Sequence, residues 1–248
     1  MTEFTIRIAD RTVRVQALFE TTRDYCRDYL EEGQPELTVS VTPVDLAFER
    51  EKSAREDALE GIPTRVFPDA YLETLAVYRK LADQLLAYDT LLFHGSAIAV
   101  DGVGYLFTAK SGTGKSTHTR LWRELLGPRA VMINDDKPLL RITDQGVLVY
   151  GTPWNGKHRL GTNQSVPLKA ICILERGEEN RIREITPKEA LPMLLQQSYR
   201  SADPGRLLRL LELLDRLTGK LRFYRLSCNM DPEAAEIAYE ALRTSGRN

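Results

Sequence analysis

The sequence predicts an α/β protein with a mixed, partly antiparallel sheet, preceded by a small N-terminal α+β subdomain. Three observations carry this. Two apolar runs, Leu91 to Val100 and Tyr105 to Thr108, flank the turn signal Asp101-Gly102-Val103-Gly104, which reads as a hairpin. A glycine-rich stretch, Ala109 to Thr117, follows the second run and leads into the helix-like segment Ser116 to Leu126. A further apolar strand, Ala130 to Ile133, then ends in Asn134-Asp135-Asp136. An antiparallel partner just before a glycine-rich loop differs from sheets in which parallel strands are joined through helical crossovers.

Taken in order, residues 3 to 17 alternate Phe4, Ile6, Ile8, Val13 and Val15 around Asp10-Arg11, as a half-buried hairpin does. Residues 19 to 31 show a partial helical stripe, and Glu36 to Thr42 alternates like a strand. Residues 46 to 60, rich in Glu, Arg and Lys, suit a solvated helix or loop. Asp69 to Tyr88 carries a wide apolar helical face through Leu72, Leu75, Ala76, Tyr78, Leu81 and Leu85. The expected organisation is therefore a subdomain over residues 1–88 and a main domain over 89–248.

Beyond the Asp pair, Leu148 to Tyr150 and Val166 to Leu174 read as strands. A charged turn and a short strand follow over Glu175 to Glu184. Pro187 to Tyr199 and Pro204 to Leu217 read as helices, Leu221 to Leu226 as an edge strand, and Asp231-Pro232-Glu233 as the start of a last helix.

Composition narrows the function classes. Hydrophobic residues make up 42% and charged residues 28%, with net charge −1. That balance offers no general attraction to nucleic acid or to a membrane surface. No apolar run approaches the roughly 18 residues of a membrane span, and Met1-Thr2-Glu3-Phe4 does not open like a signal peptide. Cys26, Cys172 and Cys228 lack metal-ligand spacing, and Cys172 sits in an apolar run as a small core residue. The expectation is a cytoplasmic protein, with a homo-oligomer left open.

The stretch Ala109-Lys110-Ser111-Gly112-Thr113-Gly114-Lys115-Ser116-Thr117 fits the phosphate-binding pattern G-x-x-x-x-G-K-[ST], except that Ala109 stands at the first Gly. Ser111, Gly112, Thr113, Gly114, Lys115, Ser116 and Thr117 form the candidate nucleotide-binding set. Backbone N–H groups and the start of the helix can cradle a polyphosphate, and Lys115 adds a point charge. The Ser116 hydroxyl is placed for Mg²⁺. Two carboxylates at a strand end, twenty residues past Lys115, suit a metal-binding role for at least one of them.

Between Gln145 and Leu174 there is no Asp or Glu. This window carries Lys157, Arg159 and Lys169, and a loop of that kind suits phosphate or an acidic substrate. Trp154 in the same window suits a stacking platform or a core aromatic. His118 reads as structural or surface.

His94-Gly95 before the hairpin, the loop Ser111-Gly112-Thr113-Gly114-Lys115-Ser116 and the pair Asp135-Asp136 together resemble the HPr kinase/phosphorylase superfamily. That group shares its phosphate-loop fold with phosphoenolpyruvate carboxykinase. The resemblance covers roughly residues 90 to 180, and the compact chain is also similar to stand-alone HPr-kinase-like enzymes that tailor lasso-peptide precursors. It implies ATP and Mg²⁺ as cofactors and a peptide or protein substrate with an acceptor hydroxyl, most simply a Ser. It implies Asp135 as the general base, Asp136 beside Ser116 as the Mg²⁺ ligand, and His94 as a group orienting Asp135 or the transferred phosphoryl. Lys157 and Arg159 would stabilise the transferring charge. The superfamily's later metal-binding Glu has no counterpart in the acid-free window, which favours a kinase over a reversible kinase/phosphorylase. A small-molecule kinase, a bifunctional kinase/phosphorylase and a non-catalytic ATP-binding regulatory module are the alternative readings.

Overall fold

A computed structural model describes residues 1–156 and 158–244. The chain divides into two compact units, Met1–Leu85 and Leu86–Asn248.

In the first unit, β1 (Thr2–Ile8) and β2 (Arg11–Ala17) form an antiparallel hairpin, and β3 (Leu37–Ser40) pairs with β2 in parallel. Alternation buries Phe4, Ile6, Ile8, Val13, Val15 and Ala17. α1 (Glu20–Tyr25) and α2 (Pro43–Glu60) precede α3 (Asp69–Leu85). The charged stretch expected from residue 46 is thus helical and begins three residues earlier. Thr42 and Asp45 form a capping box there, with Pro43 at the first turn. α1 lacks a capping side chain of its own at Phe19. Glu73 of α3, fully buried, supplies the acceptors: it takes the N–H groups of Leu18 and Phe19 and the hydroxyl of Thr22.

The second unit is built on one mixed sheet. β4 (Thr90–Leu92), β5 (Ser96–Val100), β6 (Val103–Thr108), β7 (Ala130–Asn134), β8 (Leu139–Thr143), β9 (Gly146–Tyr150) and β10 (Ser165–Arg176) run in the spatial order β4-β8-β9-β10-β6-β5-β7. β11 (Arg181–Ile185) and β12 (Arg222–Cys228) extend it, with β12 between β10 and β11. The expected single run Leu91 to Val100 is broken at Phe93-His94-Gly95. Its first piece pairs with β8 and its second with β6 and β7. The strand expected at an edge near Leu221 is internal, because β11 caps it.

β5 is antiparallel to both β6 and β7, so β6 and β7 point the same way. β10 is parallel to β6, and β12 is parallel to β10. The C-terminal ends of β6, β7, β10 and β12 therefore share one edge of the sheet.

α4 (Lys115–Leu126) and α7 (Glu233–Thr244) cover one face, through Leu121, Trp122, Ala235, Ala238 and Leu242. α5 (Pro187–Gln197) and α6 (Pro204–Thr218) cover the other, through Ala190, Leu194, Leu210, Leu213, Leu214 and Leu217. Successive β10 residues serve the two cores in turn: Ile171 and Ile173 on the α5/α6 side, Cys172 and Leu174 on the α4/α7 side. Among the described residues, no helix is long and apolar enough to cross a membrane.

Candidate active site

The glycine-rich stretch forms the turn between β6 and α4. Positive φ falls at Gly112 (73°) and at Gly114 (118°), the residue that caps α4. These are backbone states that a side chain disfavours. Ala109 is not among the positive-φ residues and is fully buried, so Ala serves where the motif has its first Gly. Lys115 folds back over the turn, with Nζ 3.4 Å from the Ala109 carbonyl. Inside the loop, the Lys110 carbonyl accepts from the Thr113 hydroxyl at 2.9 Å and the Thr113 N–H at 3.3 Å. Ser111, Gly112 and Ser116 are exposed, as a loop open to a ligand requires.

Beside this loop stands the end of β7. Asn134 is fully buried, and its Oδ1 accepts the N–H groups of Asp136 (2.9 Å) and Lys137 (2.7 Å). Its Nδ2 donates to the Thr152 hydroxyl at 2.9 Å, which in turn donates to the Lys137 carbonyl at 2.9 Å. Asn134 thus shapes the turn that presents the two carboxylates, a local use of the Asn side chain.

The two Asp have different surroundings. Asp136 Oδ1 lies 3.3 Å from His94 Nε2, and its carbonyl accepts the Gly95 N–H at 2.9 Å. Burial pushes the Asp136 carboxyl up. The His94 hydrogen bond, with the charges of Lys137, His94 and Lys115, outweighs burial and holds it below the usual carboxylate range. Lys115 is itself pushed down by burial, with Asp136 opposing that shift. The loop lysine and this carboxylate are therefore electrostatic partners. Asp135 is buried, and among the described residues its hydrogen-bond partner is the Gly156 N–H, 2.5 Å from Oδ1.

Gly156 belongs to the acid-free segment after β9. That segment closes on itself, the Gly151 N–H donating to the Gln164 carbonyl at 2.9 Å. It also leans on β7: the Thr162 hydroxyl donates to the Met132 carbonyl at 3.0 Å and the Thr162 N–H to the Ile133 carbonyl at 3.2 Å. Its approach to Asp135 is close. A Cβ on Gly156 would lie 2.9 Å from Asp135 Oδ2. Lys157 lies outside the described residues. Arg159 is exposed with φ 48°, and its N–H donates to the Gly156 carbonyl at 3.0 Å. Trp154 is buried and is a core aromatic.

The expected residues thus fall into two groups at one sheet edge. The loop, Asp136 and His94 form the first. Asp135 and the Gly156 segment form the second. His94 meets Asp136, whereas the resemblance placed it on Asp135 or the transferred group. The Thr108 hydroxyl ties His94 to the loop strand by donating to the His94 carbonyl at 3.0 Å. His118 is buried, and its Nε2 accepts from Trp122 Nε1 at 3.1 Å.

Sequence reasoning missed Asn134, Gly156 and Arg176, whose Nη2 donates to the Gly112 carbonyl at 2.6 Å. Asn134 was legible as an Asn at a strand end before two polar residues. Gly156 and Arg176 depend on where the chain returns.

A Mg²⁺ ion fits the oxygen donors present. Asp136 is held ionised and Ser116 has an exposed hydroxyl at the start of α4, which suits a hard cation that keeps waters and takes phosphate oxygens. Among the described residues, no cluster of three or more His, Cys, Asp and Glu could hold a metal alone.

The family model described as SynChlorMet cassette protein ScmC matches residues 71–205, more than half of the chain. A search of curated proteins returns no match. Among solved structures, the Hpr(Ser) kinase/phosphatase from Coxiella burnetii is similar, with TM-score 0.36 and 11% identity over 62% of this chain and 99% of that one.

Proposed function

This chain belongs to the ScmC family of SynChlorMet cassette proteins, and we propose that it acts as an ATP- and Mg²⁺-dependent kinase for a hydroxyl, most simply a Ser, on a peptide or protein. A peptide precursor of the lasso type is a substrate of the right chemistry. The observation that carries this reading is the pairing of a phosphate loop with two carboxylates in unlike settings. One, Asp136, is held ionised by the His94 hydrogen bond, with the charges of Lys137, His94 and the loop lysine adding to it. The other, Asp135, is free of cationic partners among the described residues and accepts a backbone N–H.

A nucleotide-binding module needs a carboxylate for its metal, but not a second one beside it. In this reading the loop N–H groups, the start of α4 and Lys115 hold the polyphosphate. Ser116 and Asp136 would hold Mg²⁺, which when bound offsets charge on the β- and γ-phosphates. Asp135 accepts the proton of the acceptor hydroxyl as its oxygen bonds to the γ-phosphorus. The bridging bond to the β-phosphate breaks and ADP leaves. Lys157 and Arg159 belong to the segment that would meet the acceptor.

Incubation with γ-labelled ATP, Mg²⁺ and candidate peptides tests this. Wild type should bind ATP and label a peptide. Asp135→Asn should keep ATP binding and lose labelling by a factor of about 10²–10⁴, whereas Lys115→Ala should weaken both. Full transfer by Asp135→Asn would remove its role as base, and wild type that binds no ATP would end the kinase reading.

A further inference from the structure

β10 is longer than its neighbour. Its last residue paired with β6 is Ile173, opposite Thr108, the final residue of β6. β10 continues through Leu174, Glu175 and Arg176, paired on its other edge with Leu226, Ser227 and Cys228 of β12. It therefore runs on beside the phosphate loop, supported from behind. The next residue is fixed as well: the Gly177 N–H donates to the Cys228 carbonyl at 3.0 Å, and a Cβ on Gly177 would lie 1.9 Å from Ser227 Oγ. Alternation places Arg176 on the face of Cys172 and Leu174, the side on which α4 packs.

At that position Arg176 Nη2 donates to the Gly112 carbonyl at 2.6 Å. Among the described residues this is its one hydrogen bond, and no carboxylate pairs with it. Its neighbour Glu175 is engaged elsewhere, accepting from Arg225 at 2.8 Å. A guanidinium has five N–H donors, so most remain unspent on an exposed side chain at the rim of the loop. Arg176 thus adds a third source of positive potential to the loop that carries Lys115 and the start of α4; Asp136 offsets Lys115, but among the described residues no carboxylate offsets Arg176.

We infer that Arg176 is a second cation of the polyphosphate site. One arm holds the Gly112 carbonyl and the others reach the phosphate oxygens of a bound nucleoside triphosphate. Delivery by a strand still paired with β12 along one edge, rather than by a loop, fixes the charge in place before the ligand arrives. This rests on the kinase reading in needing a nucleotide, but not on phosphate transfer.

The test is calorimetric titration of the full chain with MgATP and, separately, with tripolyphosphate. Wild type is compared with Arg176→Gln, which keeps an N–H for Gly112 but drops the charge, and with Arg176→Lys, which keeps the charge. We expect Arg176→Gln to bind both ligands about tenfold more weakly and Arg176→Lys to recover most of the loss, with the melting temperature of the free protein unchanged. Wild-type affinity in Arg176→Gln would overturn the inference and leave the kinase reading standing. Equal losses in both variants would also overturn it, since shape at Gly112 and not charge would then be the cause. Wild type that binds neither ligand would overturn the kinase reading and this inference together.

Discussion

His94 Nε2 stands 3.3 Å from Asp136 Oδ1, while the next residue, Gly95, donates its N–H to the Asp136 carbonyl at 2.9 Å. The imidazole and the peptide beside it grip one aspartate at both its side chain and its backbone. Removing the ring should let the Asp136 pKa rise toward its ordinary value. A carboxyl depressed in the folded state contributes fully above its ordinary pKa, and the contribution is lost as pH falls through the folded value. His94→Gln should therefore leave Mg²⁺-dependent ATP binding near its plateau at neutral pH and move the acid limb upward. ATP titrations from pH 4 to 8 check this, and superimposable limbs would refute it.

The contact between Gly156 and Asp135 is a steric prediction. A methyl group on Gly156 would sit 2.9 Å from Asp135 Oδ2 and 3.1 Å from its Cγ, on a buried side chain with little room to yield. Gly156→Ala should displace the carboxylate, lowering phosphate transfer at least tenfold while ATP affinity holds, at a stability cost of about 1–3 kcal/mol. Peptide labelling and ATP titration on the same sample separate the two effects.

His118 makes stability depend on pH. Burial pushes its imidazole from the ordinary 6.5 down to about 4. It is neutral when folded, and an unfolded chain takes the proton more readily between those values. The stabilisation is complete above 6.5 and is lost as pH falls toward 4, amounting to about 2 kcal/mol at pH 5. Urea denaturation at pH 7 and pH 5 should show this loss. It should shrink in His118→Gln, whose amide oxygen can still accept from Trp122 but does not titrate.

In the first unit, Glu73 is the acceptor for the start of α1. Glu73→Gln exchanges one acceptor oxygen for a donor facing the N–H groups of Leu18 and Phe19 and the Thr22 hydroxyl. Leaving a buried donor unmatched costs about 1–3 kcal/mol. Chemical denaturation should register that loss, and hydrogen exchange should localise it to residues 18–25.

The parts of the site legible in the sequence are those fixed by near neighbours. Gly112, Gly114, Lys115 and Ser116 announce the loop because strand, turn and helix follow one another directly. Asp101-Gly102 announces the hairpin for the same reason. What escaped depends on register between distant segments. β8 was not anticipated, since Leu139-Leu140-Arg141-Ile142 is too short a pattern to stand out. β12 alternates as an edge strand does, and only its pairing with both β10 and β11 makes it internal. The break at Phe93–Gly95 falls within a mostly apolar run, marked in the sequence only by His94-Gly95-Ser96. Arg176 is a cation after an apolar strand until the overshoot of β10 past β6 is known. His118 is buried because α4 turns it toward Phe107 and Trp122, ring centroids 4.6 and 6.3 Å away.

The placement of β5 between β6 and β7 also bears on how the protein folds. From His94 to Asp136 the chain makes a hairpin, one helix and one returning strand, and within that stretch the loop, His94 and the Asp pair are already neighbours. Closing such short connections costs little chain entropy, so contacts of low sequence separation form readily. β10 comes later in the chain yet lies at the centre of the sheet, so its insertion must wait for a longer closure. The phosphate-holding half of the site is therefore the segment of its unit with the shorter closures, and Arg176 joins it on a strand that needs a longer one.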